Sequence, residues 1–341
     1  MPYCHGDELA DTYATARENG YGFFASNVVQ FDIMVGLLRG ALDADADLVL
    51  QVSRDACAFY GDGDASAGLR AFGSYVENLA ESKSVNVFLN VDHVHLPDQR
   101  SFLDDVVASG VPSSVMVDAS DRPFEENVEC TREAVKAVRD GPEELLVEAE
   151  LGRVAGEENG VETSPNEAFY TDPDDAVRFV ERTDVDLLAV SVGTQHGVAS
   201  GRDLDVRPDV ADEVNTALHE AGHDVPLVVH GSSGVADEQV AEFLDAGVCK
   251  FNKNTRYQYE FARTAADFYR DHADAIRPPE ETAADRNSFF ADDEWSPDKT
   301  YFHPHVVGDE IRDRLAEVMV DLAELTGCAG RSRTTDVHDD E

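Results

Sequence analysis

Eight short runs rich in β-branched and aromatic residues recur along the chain, at 22–29, 47–53, 85–91, 114–120, 145–151, 186–193, 226–231 and 248–254. Between them lie segments whose apolar residues repeat with a helical period, such as 31–43, 68–82, 101–109, 124–139, 174–183, 208–222, 237–245 and 255–272. Parallel strands need crossover connections, usually helices, and eight strand–helix units within about 250 residues are what a closed barrel requires. A doubly wound sheet could use the same alternation, but it would concentrate its ligand groups at one switch point. Here polar residues fall at the ends of many runs: Asn27, Ser53, Asp92 with His93, Asp118, Glu150, His196, His230, and Asn252 with Asn254. A barrel builds its active site at that rim. The sequence therefore reads as α/β, a TIM (β/α)8 barrel forming a single domain over 1–330, with a C-terminal loop and helix extension.

In that extension, 276–303 is rich in Pro, Asp and Glu and reads as an extended loop carrying Trp295 and Lys299. A last helix is expected over 306–326, before Gly327. Residues 331–341 offer too few apolar groups to pack and read as a disordered acidic tail.

Charge excludes several functions. Seventy acids stand against 27 bases, a formal net charge of −43, and the only lysines are Lys83, Lys136, Lys250, Lys253 and Lys299. No basic face is available for nucleic acid or an anionic membrane. Self-repulsion on this scale opposes compaction unless salt screens it, and the screening length shrinks from about 10 Å at 0.1 M to about 3 Å at 1 M. Molar salt thus reads as the working solvent, which makes the protein halophilic. The five cysteines are odd in number and lack C-x-x-C spacing, as expected of reduced thiols inside a cell. No run approaches the roughly 20 apolar residues of a membrane span, and the start, MPYCHGDELADTYA, has no signal-peptide pattern. A cytoplasmic location is expected.

His93, His196 and His230 each sit just beyond an apolar run, in LNVDHV, LAVSVGTQHG and LVVHGSSG. On a barrel they converge, and three imidazoles leave a position open on a zinc ion, as a catalytic site needs. His93 and His95 offer a rival, since H-x-H on one strand face begins many metal-dependent hydrolase sites. Asp92 could act as a general acid/base. Asp118 and Glu150 could support the histidines or hold the metal at a second position. The loop GRVAGEENG (152–160) reads as a mobile flap presenting Glu157 or Glu158 as a base. Gly197, Gly231, Ser232, Ser233 and Gly234 follow the sixth and seventh runs, and Asn252, Lys253, Asn254 and Thr255 open the helix after the eighth. Phosphate sites of barrels lie there, so a phosphorylated substrate is expected.

The segments NVDHV (90–94), SVMVDASDRPFEENV (114–128), EAELGRVAGEENGV (148–161), VSVGTQHGV (190–198), VVHGSSGV (228–235) and KFNKNT (250–255), in that order, resemble the class II, metal-dependent fructose-bisphosphate aldolases and their tagatose-bisphosphate relatives. The resemblance covers nearly the whole chain. It implies a catalytic zinc on His93, His196 and His230, with Asp118 and Glu150 at a second metal position. It implies that Asp92 shuttles the proton of the C4 oxygen and that Glu158 handles the proton next to the ketone. It assigns the C1 phosphate to Gly197, Gly231, Ser233, Asn254 and Thr255, with a potassium or sodium ion nearby. Asn252 then orients the triose, Asn27 and Ser53 line the substrate, and Lys299 contacts the C6 phosphate. Phosphorylated ketose and triose substrates and a homodimer or larger assembly follow from the same resemblance. Two positions depart from the family pattern. His305 stands where one branch carries an arginine donated across the dimer, and Asn254 where many members carry aspartate. Competing functions are a tagatose-bisphosphate aldolase, a zinc-dependent barrel hydrolase, and a phosphosugar-binding protein without catalysis.

Overall fold

The structure is a computed structural model that describes residues 3–158, 161–163, 169–197, 204–278 and 295–333, with backbone alone for 155–158 and 161–163. Eight parallel strands close into a barrel: β1 (Phe23–Asn27), β2 (Leu48–Ser53), β3 (Val87–His95), β4 (Ser114–Asp118), β5 (Leu146–Leu151), β8 (Leu187–Val190), β10 (Leu227–Val229) and β11 (Val248–Lys253). Each expected strand is present, and β1 pairs with β11 to complete the ring. The intervening helices lie within a few residues of the expected segments, as in Phe31–Asp43, Phe124–Arg139 and Asp237–Asp245.

The strands are buried on both faces, as a barrel wrapped in helices demands. Phe23, Phe88, Phe251, Phe72, Phe179 and Phe243 are among the largest fully buried side chains. One helix not anticipated, Gly6–Glu18, plugs the end of the barrel remote from the histidines. Cys4 N–H bonds to the Val87 carbonyl and Gly6 N–H to that of Glu144, both at strand starts. Gly6 has to be glycine, because a Cβ there would lie 2.3 Å from the Glu144 carbonyl oxygen.

Beyond β5 the expected flap folds as a hairpin. β6 (Ala155–Glu158) pairs antiparallel with β7 (Val161–Thr163), and β9 (Gln195–His196) lies parallel to β6, with His196 opposite Gly156. The flap is thus joined by main-chain hydrogen bonds to the segment carrying His196. At the C-terminus, helix Pro304–Leu325 packs along helix Phe31–Asp43, with Arg312 Nε donating to Asp32 at 2.7 Å. Residues 331–333 do not fray. Arg331 and Ser332 donate their N–H groups to the Asp45 carbonyl, and the Ser332 hydroxyl bonds the Asp47 carboxylate at 2.6 Å. Polar contacts hold this segment where apolar ones are lacking. The rest of the expected tail, 334–341, lies outside the described residues.

Candidate active site

At the C-terminal rim, ligand atoms of His93, Glu150, His196 and His230 lie within 4.8 Å of one another, and all four residues are buried. The imidazole centroids are 4.7 Å apart for His93 and His230, 5.5 Å for His93 and His196, and 6.1 Å for His196 and His230. His230 is completely enclosed between two carboxylates, with Nε2 2.8 Å from Glu148 Oε1 and Nδ1 3.1 Å from Glu150 Oε2. The second contact lacks hydrogen-bond geometry, and both of its atoms are buried without another partner among the described residues. His230 Nδ1 and Glu150 Oε2, without a hydrogen bond among the described residues and clustered with the imidazoles of His93 and His196, make a donor set that a divalent metal ion would satisfy.

Glu148 is held in turn by the Lys250 ammonium, 2.5 Å from its Oε2, and both side chains are buried. Burial alone would raise the carboxyl, but Lys250 and the His230 hydrogen bond outweigh it and bring Glu148 down to about 2. Burial pushes His230 down, whereas the carboxylates of Glu148 and Glu150 lift it to about 9. The Glu148 contact fixes Nε2 as the donor nitrogen and leaves Nδ1 facing the cluster.

Asp92 and His93 both face the site, which neighbours on a regular strand cannot do. A bulge explains it: Val91 pairs with Val115 and Val94 with Val117, so β3 carries one residue more than β4 over that stretch. His93 takes up the excess at φ 45°, a left-handed conformation costing on the order of 1–3 kcal/mol for a residue with a Cβ. Asp92 is buried, accepting from Asn27 Nδ2 at 2.7 Å and Asn252 Nδ2 at 3.2 Å.

A cavity opens beside the cluster, lined by Asn27, Asp92, His93, Gln195, His196, Gly197, Gly231, Ser233, Asn252, Asn254 and Thr255. Its far wall combines the 3-10 turn Ser232–Gly234 with the start of helix Thr255–Asp271, where free N–H groups favour an anion. Gly231, at φ 64°, cannot be replaced freely, since a Cβ would sit 2.7 Å from the Gln195 backbone. Buried Lys253 donates to the Ser232 carbonyl at 3.1 Å and lies over the Phe24 ring. Burial, with Arg256 adding to it, brings its pKa down to about 8.

A family model described as fructose-bisphosphate aldolase class-II matches residues 7–331. The chain belongs to the class-II fructose-bisphosphate aldolase family. Fructose-bisphosphate aldolase of Mycobacterium tuberculosis is 29% identical over 290 residues, covering 78% of this chain and 84% of that protein. That of Streptomyces galbus is 28% identical over 287 residues, with the same coverage. The crystal structure of fructose-bisphosphate aldolase from Campylobacter jejuni superposes with a TM-score of 0.79 at 22% identity, over 96% of each chain. The YdjI aldolase of Escherichia coli K12 gives 0.68 at 24% identity, over 97% of this chain and all of that one. At such identities the two structures speak to the fold, which is the same barrel.

Most of the residues expected at the site of this class-II family member do converge. The three histidines and Glu150 form the cluster, and Asn27, Asp92, Gly197, Gly231, Ser233, Asn252, Asn254 and Thr255 line the cavity. Asp118 and Glu150 fall in two different groups of potential ligands that share His93. Asp118 Oδ2 lies 3.3 Å from His93 Nδ1 and 3.2 Å from His95 Nδ1, in the His93, His95 and Asp118 group. Ser53 is buried beside Asp92, its pairing partner across β2 and β3, and caps helix Arg54–Tyr60 by accepting from Ala56 N–H. Lys299 does not reach the cavity; it opens the short helix Lys299–Phe302, which packs on helix Pro304–Leu325. The Glu158 backbone lies in β6, and its side chain is outside the described atoms. Sequence reasoning passed over Glu148, Lys250 and Gln195. The first two were within reach, because in LVEAEL and KFNK alternate residues share a face, so Glu148 accompanies Glu150 and Lys250 accompanies Asn252.

Proposed function

We propose that the protein is a zinc-dependent enzyme that reversibly cleaves fructose 1,6-bisphosphate into dihydroxyacetone phosphate and glyceraldehyde 3-phosphate. The observation that carries this reading is the buried cluster of three histidines and Glu150, opening onto a cavity that holds a carboxylate, Asp92, beside an anion-binding turn. His93, His196 and His230 would hold the zinc, which supplies Lewis-acid stabilisation of the charge that builds up when the C3–C4 bond breaks.

Asp92 takes the C4 hydroxyl proton during cleavage and returns it in condensation. Asn27 and Asn252 orient its carboxylate, and the buried Asn252 Oδ1, without a partner among the described residues, is placed to accept from a substrate hydroxyl. Glu158, carried on the hairpin tied to His196, moves the proton at C3. Gly197, Gly231, Ser233, Asn254 and Thr255 bind the C1 phosphate, with a potassium or sodium ion to offset its charge. In this reading the protein is cytoplasmic and works in glycolysis and gluconeogenesis. It is a homodimer or larger, and its acidic surface is an adaptation to molar salt. Lys299, outside its own chain's cavity, contacts the C6 phosphate across the interface.

The test is cleavage of fructose 1,6-bisphosphate in about 2 M KCl, a concentration chosen for screening, before and after EDTA and again with zinc restored. Activity should vanish with the metal and return with it, and His230→Ala should lose both bound zinc and activity. Undiminished cleavage by protein shown to be metal-free would exclude the reading. Tagatose 1,6-bisphosphate, assayed alongside, should be cleaved more slowly.

A further inference from the structure

A single file of side-chain hydrogen bonds follows one side of the barrel interior, over four neighbouring strands, and ends on Asp92. Ser114 Oγ donates to Asn90 Oδ1 at 2.9 Å, and Asn90 Nδ2 to Gln51 Oε1 at 2.7 Å. Gln51 Nε2 donates to Asn27 Oδ1 at 2.8 Å, and Asn27 Nδ2 to Asp92 Oδ2 at 2.7 Å. These residues lie on β4, β3, β2 and β1, and none is more than 4% exposed. Branched aliphatic side chains usually fill this part of a barrel. Burying amides there instead costs free energy unless every group is satisfied.

One charge dictates the orientation of the whole file. A carboxylate can only accept, so Asn27 must turn its NH2 toward Asp92 and offer its carbonyl to Gln51. Gln51 must then present its NH2 to Asn27 and its carbonyl to Asn90. Asn90 is left with a carbonyl that needs a donor, and the Ser114 hydroxyl supplies one. All donors point the same way, an arrangement in which successive bonds polarise and strengthen one another. Asn252 donates to the other carboxylate oxygen at 3.2 Å, so the carboxylate is held from two sides.

We propose that Asn90, oriented by Ser114, is a positioning residue for proton transfer at Asp92, acting through Gln51 and Asn27. The inference rests on the reading of Asp92 as the group that moves the C4 hydroxyl proton. Asn90 and Ser114 do not line the cavity, so they act only through the file. Their effect is therefore confined to the step Asp92 carries. Dihydroxyacetone phosphate has three carbons and no C4 hydroxyl, so exchange of its C3 hydrogen with solvent needs no proton transfer by Asp92.

The experiment compares Asn90→Leu, Ser114→Ala and Asp92→Asn with the parent protein, all zinc-loaded in about 2 M KCl to screen charge. It measures kcat and KM for fructose 1,6-bisphosphate cleavage and the rate of hydrogen exchange into dihydroxyacetone phosphate. Asn90→Leu should lower kcat about 10- to 100-fold, the scale of effect of a misplaced catalytic group. Its KM and exchange rate should stay within about twofold of the parent. Ser114→Ala should show the same split with a smaller loss, and it carries the test alone if Asn90→Leu does not fold. Exchange falling in step with cleavage would mean a merely structural role and overturn the proposal. So would full-rate cleavage by both distal variants while Asp92→Asn is impaired. Full-rate cleavage by Asp92→Asn would instead discard the reading of Asp92 on which the proposal stands.

Discussion

At the scale of single residues, the site depends on side chains that never meet the cavity. His230 presents Nδ1 to the cluster because Glu148 occupies Nε2, and Glu148 stays ionised there because Lys250 is 2.5 Å away. Breaking such a buried pair on one side costs about 3–5 kcal/mol, whereas replacing both members with apolar residues of similar volume is often neutral or better. The double variant Glu148→Leu/Lys250→Met avoids a lone buried charge but loses the His230 anchor, and should cost about 1–3 kcal/mol for the buried Nε2–H left without its acceptor. Zinc affinity, measured by competition with a chelator, should fall about 10- to 100-fold; an unchanged affinity would show that Glu148 does not tune the site. Lys253 offers a pH test. Its folded pKa of about 8 lies below the ordinary lysine value of 10.5, so between these values the unfolded chain holds a proton that the folded one has released. Stability should rise with pH across that window, by an amount on the order of 3 kcal/mol at most, at 1.36 kcal/mol per unit. Thermal melts of Lys253→Met and the parent from pH 8 to 10 should differ by this slope, and parallel curves would refute it.

At the scale of elements, period and punctuation in the sequence made the barrel strands and their crossover helices legible, because each strand is an apolar run between turn residues. The histidines were legible for the same reason, since each lies near the end of such a run or just beyond it. The bulge in β3 was not. One extra residue in a ladder is a relation between two strands, and NVDHV alone does not say that Val94 will face Val117. The short helix Lys299–Phe302 was not legible for another reason: it follows from how the C-terminal helices pack, which strand periodicity does not address. That packing has its own signature in helix Phe31–Asp43, where Gly36 and Gly40 fall four apart on one face. A Cβ at Gly40 would lie 2.4 Å from the Ala316 carbonyl oxygen and 2.6 Å from Met319 Cβ. Glycine to alanine inside a helix ordinarily gains about 0.5–1 kcal/mol, but overpacking costs about 1–3 kcal/mol and here meets backbone. Gly40→Ala should therefore destabilise the protein by about 1–2 kcal/mol net, read as a shift of the urea midpoint. A stabilised variant would mean that the C-terminal helix moves away without cost.

At the scale of the whole molecule, ion pairing cannot neutralise the charge. If every one of the 27 bases paired with an acid, 43 of the 70 acids would remain. The pairs that form are mostly exposed, as with Arg132 and Glu129 or Arg100 and Asp104. Each of that kind contributes about 0–1 kcal/mol. The uncompensated repulsion has to be met by hydrophobic burial or by solvent ions. Screening and cosolute exclusion make different forecasts. Screening acts most strongly between about 0.1 and 1 M, as the Debye length falls from about 10 Å to about 3 Å, and then levels off. Exclusion grows steadily with concentration and does not require an ion. For a chain this large roughly 2 °C of melting temperature corresponds to 1 kcal/mol, so relief of about 5 kcal/mol would appear as a rise of about 10 °C. We expect that rise in KCl below about 1 M, with a shallow slope above it, and little change in sucrose. A melting temperature indifferent to KCl would mean that the folded state tolerates its own charge, and the acidic surface would then have to be explained by solubility rather than stability.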